Sequence, residues 1–263
     1  ILVEFTPSEG AGQFPKTTIR VKPNVTPMTE DKNIAENVAN KYSISRSEQE
    51  VFALKSHKKA ANAYKKGYMD EELIQVKTKE GVFSKDECIR ENTTLESMQK
   101  LNPAFIENGT VTAATSSPLT DGAAFTIVCS EKYALENNIS PLAKVISTSI
   151  TGCNPEFMGM GPVESTKKAL KRASLTIEDI DVIELNEAFA AQSIAVINEL
   201  CLNHEKVNID GGALSIGHPL GASGARITGK ASSILNRIDG QYALSTMCIG
   251  GGMGISTISE NYN

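Results

Sequence analysis

The sequence predicts an α/β protein, with a layered α/β/α domain in its second half entered through a mostly helical region. Three observations predict it. From Gly109 onward, short β-branched or apolar runs alternate with helical patterns, and such alternation builds sheets covered by helices. The segment 187–202 is apolar on nearly every face (Ala188, Phe189, Ala190, Ile194, Ala195, Val196), which suits a helix sandwiched between sheets rather than one with a wet side. Residues 31–66 hold two successive helical patterns with their own start and stop signals.

Along the chain, residues 1–30 carry Pro7, Pro15, Pro23 and Pro27. These remove backbone donors too often for a long helix, so loop or edge strand is expected. A helix is expected from about Asp31. Ser45 followed by Glu48 has capping-box spacing ahead of a second helix that Gly67 would stop. Residues 68–105 are short, charged and mixed, and Pro103 with Asn108-Gly109 leads into a different texture. A division follows, with 1–105 an extended segment and helical region and 106–263 the α/β domain. In the latter, strands are expected at Ala124–Val128, Lys144–Ser149, Val182–Leu185, Val207–Ile209, Tyr242–Met247 and Ile255–Ile258, and helices at 163–175, 187–202 and 219–237.

Composition excludes several functions. A net charge of −5 with lysines dispersed among acids gives no basic surface for nucleic acid. No apolar run approaches the roughly 20 residues of a membrane helix, and no charged-then-apolar leader opens the chain. Five widely spaced cysteines, without a C-x-x-C pair, fit reduced thiols and a cytoplasmic protein better than a disulfide framework. N-x-[ST] triplets at Asn24, Asn92, Asn108 and Asn138 arise easily by chance in a chain rich in Asn, Ser and Thr. His57, His204 and His218 lie far apart without ligand spacing, so no metal site is expected. His57 reads as a surface residue of a charged helix and His204 as a loop residue.

Three segments carry chemistry. Gly211 to Arg226 packs five glycines and His218 into the approach to a helix. A histidine there is a candidate acid or base, and its bland alternative is a buried imidazole satisfied by a backbone carbonyl. Met247-Cys248-Ile249-Gly250-Gly251-Gly252-Met253-Gly254 sets a thiol at a strand's end beside amides that can hold an oxyanion. Alone, such a cysteine is most often a small buried hydrophobe. Its glycines match neither nucleotide-binding spacing. Leu185-Asn186-Glu187-Ala188-Phe189-Ala190 joins a strand to a helix, and Asn186 read alone is an N-cap. Glu187 reads as structural, its pKa depressed by the helix dipole. Arg226 reads as an anchor for its helix, with contact to a ligand phosphate as the alternative.

Together the segments Asn186-Glu187-Ala188-Phe189, Gly217-His218-Pro219-Leu220-Gly221-Ala222-Ser223-Gly224-Ala225-Arg226 and Cys248-Ile249-Gly250-Gly251-Gly252-Met253-Gly254 resemble, in order and spacing, the C-terminal signatures of the thiolase family. Thr110 to Ala124 (TVTAATSSPLTDGAA) and Asn154 to Pro162 (NPEFMGMGP) are similar to it as well, and residues 30–75 look like its loop domain. The resemblance implies a thiolase-like α/β/α C-terminal half. It implies His218 as the base that activates a nucleophile and as part of an oxyanion site, and Cys248 as the carrier of the substrate's α-proton. Asn186 would hold a water beside His218, the amide of Gly250 would serve a second oxyanion hole, and Ser117 would touch the pantetheine arm of coenzyme A. The implied activity is acyl-CoA acyltransfer: cleavage of a 3-ketoacyl-CoA by coenzyme A, or the reverse Claisen condensation. Coenzyme A is then a substrate, no permanently bound cofactor is expected, and a homodimer or homotetramer is the expected assembly.

The departure is the nucleophile. Thiolases carry it in an N-x-x-C-[AG]-S-G segment, and none of Cys88, Cys129, Cys153 or Cys201 lies in one. Cys129 is expected to end a strand, and all four read as structural. Since the chain opens on Ile1, the expectation is a parent protein that supplies the missing segment, with this chain inactive by itself. A non-catalytic coenzyme A-binding or scaffold protein is the alternative. A condensing enzyme acting on a carrier protein is a third reading, and Cys248 argues against it.

Overall fold

The computed structural model describes Val3–Glu4, Arg20–Val21 and residues 34–262. The chain divides into two compact units, residues 1–32 and 33–263. In the first, β1 (Val3–Glu4) and β2 (Arg20–Val21) pair antiparallel. The remaining expectations for residues 1–30, and the helix start at Asp31, lie outside the described residues.

The second unit opens with α1 (Ile34–Lys41) and α2 (Arg46–Lys65). The predicted capping box forms: Ser45 Oγ accepts from Glu48 N at 3.3 Å and the Glu48 carboxylate accepts from Ser45 N at 2.7 Å. The box satisfies two backbone donors that a helix start leaves without partners. Gln49, Ala53, Ser56, Ala60 and Ala63 form the buried stripe of α2 at helical spacing. The mixed stretch that follows holds two features without a strong sequence signal. These are an exposed hairpin, β3 (Val76–Thr78) with β4 (Gly81–Phe83), and the short α3 (Leu95–Gln99) opened by Thr94.

Residues 124–128 form no strand. Their apolar content suggested one, yet Phe125, Ile127 and Val128 are exposed and, among the described residues, no neighbouring strand pairs with them. Cys129 accordingly ends no strand and is exposed. After the short α4 (Glu131–Glu136) comes a four-stranded sheet in the order β5 (Ala143–Gly152), β8 (Met253–Asn261), β7 (Tyr242–Ile249), β6 (Val182–Leu185). β5 and β7 both run antiparallel to β8, while β6 runs parallel to β7. The expected strand at 207–209 is reduced to a bridge between Val207 and Ile183. There the Asn208 side chain takes over ladder bonding, accepting from Leu185 N at 2.9 Å and donating to Leu185 O at 2.8 Å.

Strand alternation sorts the core. Ile183, Leu185, Leu244 and Ile258 join a cluster with Leu170 of α5 (Gly161–Ala173) and with Ile194 and Ile197 of α6 (Ala190–Glu199). Val182 and Ala243 instead meet Ala231, Ile234 and Leu235 of α8 (Ser223–Arg237). The result is the layered α/β/α arrangement. Helix α6 is buried from Ala190 to Ile197 as expected, but among the described residues no second sheet covers it. Helices α1 and α2 pack against it, and Val38 and Ile44 share its core. Helices α5, α6 and α8 start at 161, 190 and 223 rather than 163, 187 and 219.

Candidate active site

Because β6 and β7 run parallel with Leu185 opposite Thr246, Asn186 and Cys248 lie at the same end of the sheet. Asn186 N donates to Thr246 O at 2.9 Å and continues the ladder one step past the strand. Asn186 is buried and does not cap α6, whose N-cap position is Phe189. Its Nδ2 lies 3.2 Å from His218 Nε2.

His218 arrives on the turn between α7 (Ala213–Ile216) and α8. Gly217 makes the turn possible: its φ is +96°, and a Cβ there would come within 2.6 Å of Thr120 Oγ1. His218 Nδ1 lies 2.6 Å from Ser223 Oγ, which donates to Pro219 O at 3.1 Å. A serine hydroxyl has one proton. With that proton on the Pro219 carbonyl, the network assigns a proton to His218 Nδ1 and leaves the Nε2 lone pair facing the Asn186 amide. Burial, and then the Arg226 guanidinium, hold the imidazole pKa down at about 4. Near neutrality His218 is therefore an uncharged base.

Cys248 is buried near the end of β7, and burial pushes its thiol up to about 11. It is a protonated thiol near neutrality, suited to giving a proton rather than to direct attack. The turn after it, Gly250 to Gly252, joins β7 to β8. Gly252 has φ +86°, and a Cβ there would meet Cys153 O at 2.6 Å. Gly250 sits exposed in this turn with open space where a side chain would be.

Ser117 is half-buried and runs beside the Asn186 segment. Its N–H donates to Ala188 O at 3.0 Å, and Ser116 bridges to Phe189. The chain brings Asn186 and His218 into contact, sets Cys248 at the same end of the sheet and lays Ser117 along the segment after Asn186.

Glu187 is structural, though not through a depressed pKa. It precedes α6 and is fully buried, and burial raises its pKa. Ser56 Oγ at 2.7 Å, Asn208 Nδ2 at 2.7 Å and Leu214 N at 3.2 Å donate to it. It thereby ties α2 to the loop that leads to His218. His57 is not on the surface: it is buried, and its Nδ1 accepts from Arg90 N at 3.1 Å. His204 is an exposed loop residue. Sequence reasoning missed Ser223 as the partner of Nδ1, although it stands within the quoted motif. Ser56 and Asn208 carried no signal at all.

The family model for the thiolase C-terminal domain matches residues 139–261, and the model for the thiolase N-terminal domain matches residues 24–132. The chain belongs to the thiolase family. Among thiolases, it is 48% identical over 231 residues to the beta-ketothiolase BktB of Cupriavidus necator, covering 86% of this chain and 59% of that protein. It is 45% identical over 231 residues to the mitochondrial 3-ketoacyl-CoA thiolase of Homo sapiens, covering 86% of this chain and 58% of that one. A crystal structure of the human mitochondrial 3-ketoacyl-CoA thiolase in complex with CoA superposes with a TM-score of 0.83 at 41% identity, over 89% of this chain and 58% of the other. The Bacillus anthracis acetyl-CoA acetyltransferase superposes at 0.85 and 40% identity, over 91% and 61%. The chain thus spans about three fifths of the length of these thiolases. Asn186, His218, Cys248 and Gly250 fall in the thiolase C-terminal match and Ser117 in the N-terminal one. No helix among the described residues is long and apolar enough to cross a membrane.

Proposed function

We propose that the chain is part of an acyl-CoA acyltransferase of the thiolase type, which cleaves 3-ketoacyl-CoA with coenzyme A or condenses two acyl-CoA molecules. The observation that carries this reading is the 3.2 Å contact between His218 Nε2 and the Asn186 amide, at the sheet end that also presents the Cys248 thiol. In cleavage, a cysteine supplied by the rest of the parent protein attacks the 3-keto carbon, and His218 Nε2 takes the thiol proton. The bond between the α and β carbons then breaks, and Cys248 gives its proton to the departing enolate. The acyl group passes from the enzyme cysteine to coenzyme A. In condensation the same protons move the other way.

Asn186 Oδ1 is buried without a hydrogen-bond partner among the described residues. That suits an atom whose donor is a water beside the enolate oxygen. The amide of Gly250 serves the acyl-enzyme carbonyl, and Ser117 touches the pantetheine arm. Coenzyme A and acyl-CoA are the partners, with no nucleic acid or membrane among them. No permanently bound cofactor is needed, and a cytoplasmic homodimer or homotetramer is the proposed setting. The division at residues 105 and 106 is also a proposal, and the match to the N-terminal domain runs beyond it to residue 132.

The test is thiolysis of acetoacetyl-CoA by the complete parent protein, its intact mass measured first. His218→Ala and Cys248→Ala are each expected to lower kcat by about 10²- to 10⁴-fold, the usual contribution of acid–base groups. A parent with no nucleophilic cysteine and no turnover would leave the non-catalytic coenzyme A-binding reading in its place.

A further inference from the structure

The loop that leads to His218 is held at its root by two side chains. Asn208 bonds both ways to the backbone of Leu185 in β6, and Asp210 takes a bidentate pair from Arg237 of α8 at 2.8 Å and an ion pair from Lys230 of the same helix at 2.7 Å. Further along, the loop presses against a single carboxylate. A Cβ on Gly212 would stand 2.5 Å from both Glu187 oxygens, so only a glycine lets the backbone pass so close. Glu187 Oε2 accepts from Leu214 N at 3.2 Å and from Ser56 Oγ at 2.7 Å, and Ser56 Oγ in turn accepts from Gly212 N at 3.1 Å. Among the described residues, Ser56 and Glu187 supply every hydrogen bond between residues 212–216 and a distant part of the chain. Glu184 of β6 is a buried carboxyl of the opposite kind. Burial raises its pKa to about 8, and neither of its oxygens accepts a hydrogen bond among the described residues.

These bonds close a ring through the candidate site. Glu187 follows Asn186 in the chain, Leu214 of α7 donates to Glu187, and the backbone runs from Leu214 through Gly217 to His218, whose Nε2 returns to Asn186 Nδ2 at 3.2 Å. We propose that Glu187 is a positioning residue, which by joining the end of β6 to α7 holds His218 against Asn186. The role rests on the reading of Asn186 and His218 as a working pair. The two partners need different help. Asn186 is fixed by its own backbone, which donates to Thr246 O at 2.9 Å in the ladder. His218 instead follows Gly217, whose φ of +96° belongs to a residue with no Cβ to stiffen the turn. The Glu187 carboxylate gives that turn a fixed point one helical turn before the imidazole. A displacement of about 1 Å at such a pair can cost about 10²-fold in rate, so a buried hydrogen bond at this place has leverage on the chemistry without touching substrate.

The first readout needs no turnover, so it separates this role from failure of the proposed activity. In the full 263-residue chain, NMR can follow the nuclear Overhauser cross-peak between the Asn186 side-chain amide protons and the His218 ring protons. Glu187→Ala should weaken that cross-peak several-fold while the β7 and β8 amides stay dispersed. Ser45→Ala, which loosens α2 at its cap, should lower stability and leave the cross-peak intact, as a merely structural loss would. In the complete parent protein Glu187→Ala should lower kcat by about 10²-fold with KM little changed. A folded Glu187→Ala chain with an undiminished cross-peak would overturn the proposal. Loss of the cross-peak with kcat untouched would support the positioning role and count against the reading of His218 as a base. Should Glu187→Ala fail to fold, hydrogen exchange in the unsubstituted chain decides. A Leu214 amide as protected as that of Asn186 supports the role, and one that exchanges as freely as the exposed amide of Gly250 overturns it.

Discussion

The two nitrogens of His218 are held differently, and both contacts can be tested. Asn186→Ala removes the amide facing Nε2 together with the oxygen proposed to hold a water. It should cost about 10²- to 10³-fold in kcat of the complete protein, the scale of losing one oxyanion donor, with KM changed far less. The depressed His218 pKa also has a sign in stability. The folded value near 4 lies below the ordinary histidine value of 6.5, so the folded state binds fewer protons between the two. Its stabilising contribution is present above 6.5 and is lost as pH falls through about 4. Glu184 runs the other way. Its folded value near 8 lies above the ordinary glutamate value of 4.5, so its contribution is present below 4.5 and is lost as pH rises through about 8. Chemical denaturation of the chain and of Glu184→Gln across pH 5 to 9 should give a stability difference that changes up to about pH 8 and then levels off. A flat difference would contradict the raised pKa. At this scale motif company alone singled out His218, Asn186 and Cys248 as candidates. It hid Ser56 and Asn208, which act on Glu187 from 131 and 21 positions away and belong to no local pattern.

Among elements, α2 does two jobs that its sequence announces unequally. Its start was legible because a capping box is a local four-residue device, and Ser45→Ala should lower stability by about 1 kcal/mol in urea denaturation. Its inner face was not legible. Ser56 Oγ donates to Glu187 and accepts from Gly212 N at 3.1 Å, so it links the helix to the loop before α7. Ser56→Ala leaves a buried carboxylate with one donor fewer and should cost about 1–3 kcal/mol. Strands β6 and β7 were readable because both are short apolar runs bounded by turns. The run at 124–128 shows the limit of that signal: β-branched and apolar residues favour a strand only where another strand stands beside them. The run at 207–209 shows another limit, for there a side chain replaced the backbone as hydrogen-bonding partner.

For the whole molecule, the layered order was legible from the alternation of runs. What covers α6 was not. A helix apolar on every face says that it is buried and leaves open whether helices or sheets bury it. Leu119, Phe125, Ile127 and Val128 are the most exposed apolar side chains of the unit, from 79% to 94%. So much apolar surface within ten residues favours association. Replacing Phe125 and Ile127 by serine should reduce light scattering from concentrated solutions of the chain while leaving its urea midpoint within about 0.5 kcal/mol, as is usual for surface positions.

The high pKa of the Cys248 thiol has one more consequence, which concerns reagents rather than substrates. Alkylation proceeds through the thiolate, so a buried cysteine that keeps its proton up to about pH 11 should be the last of the five to be alkylated. Cys129 and Cys201, both exposed, should be labelled first. The order in which the five masses shift under iodoacetamide then reports, without any substrate, whether the end of β7 is closed.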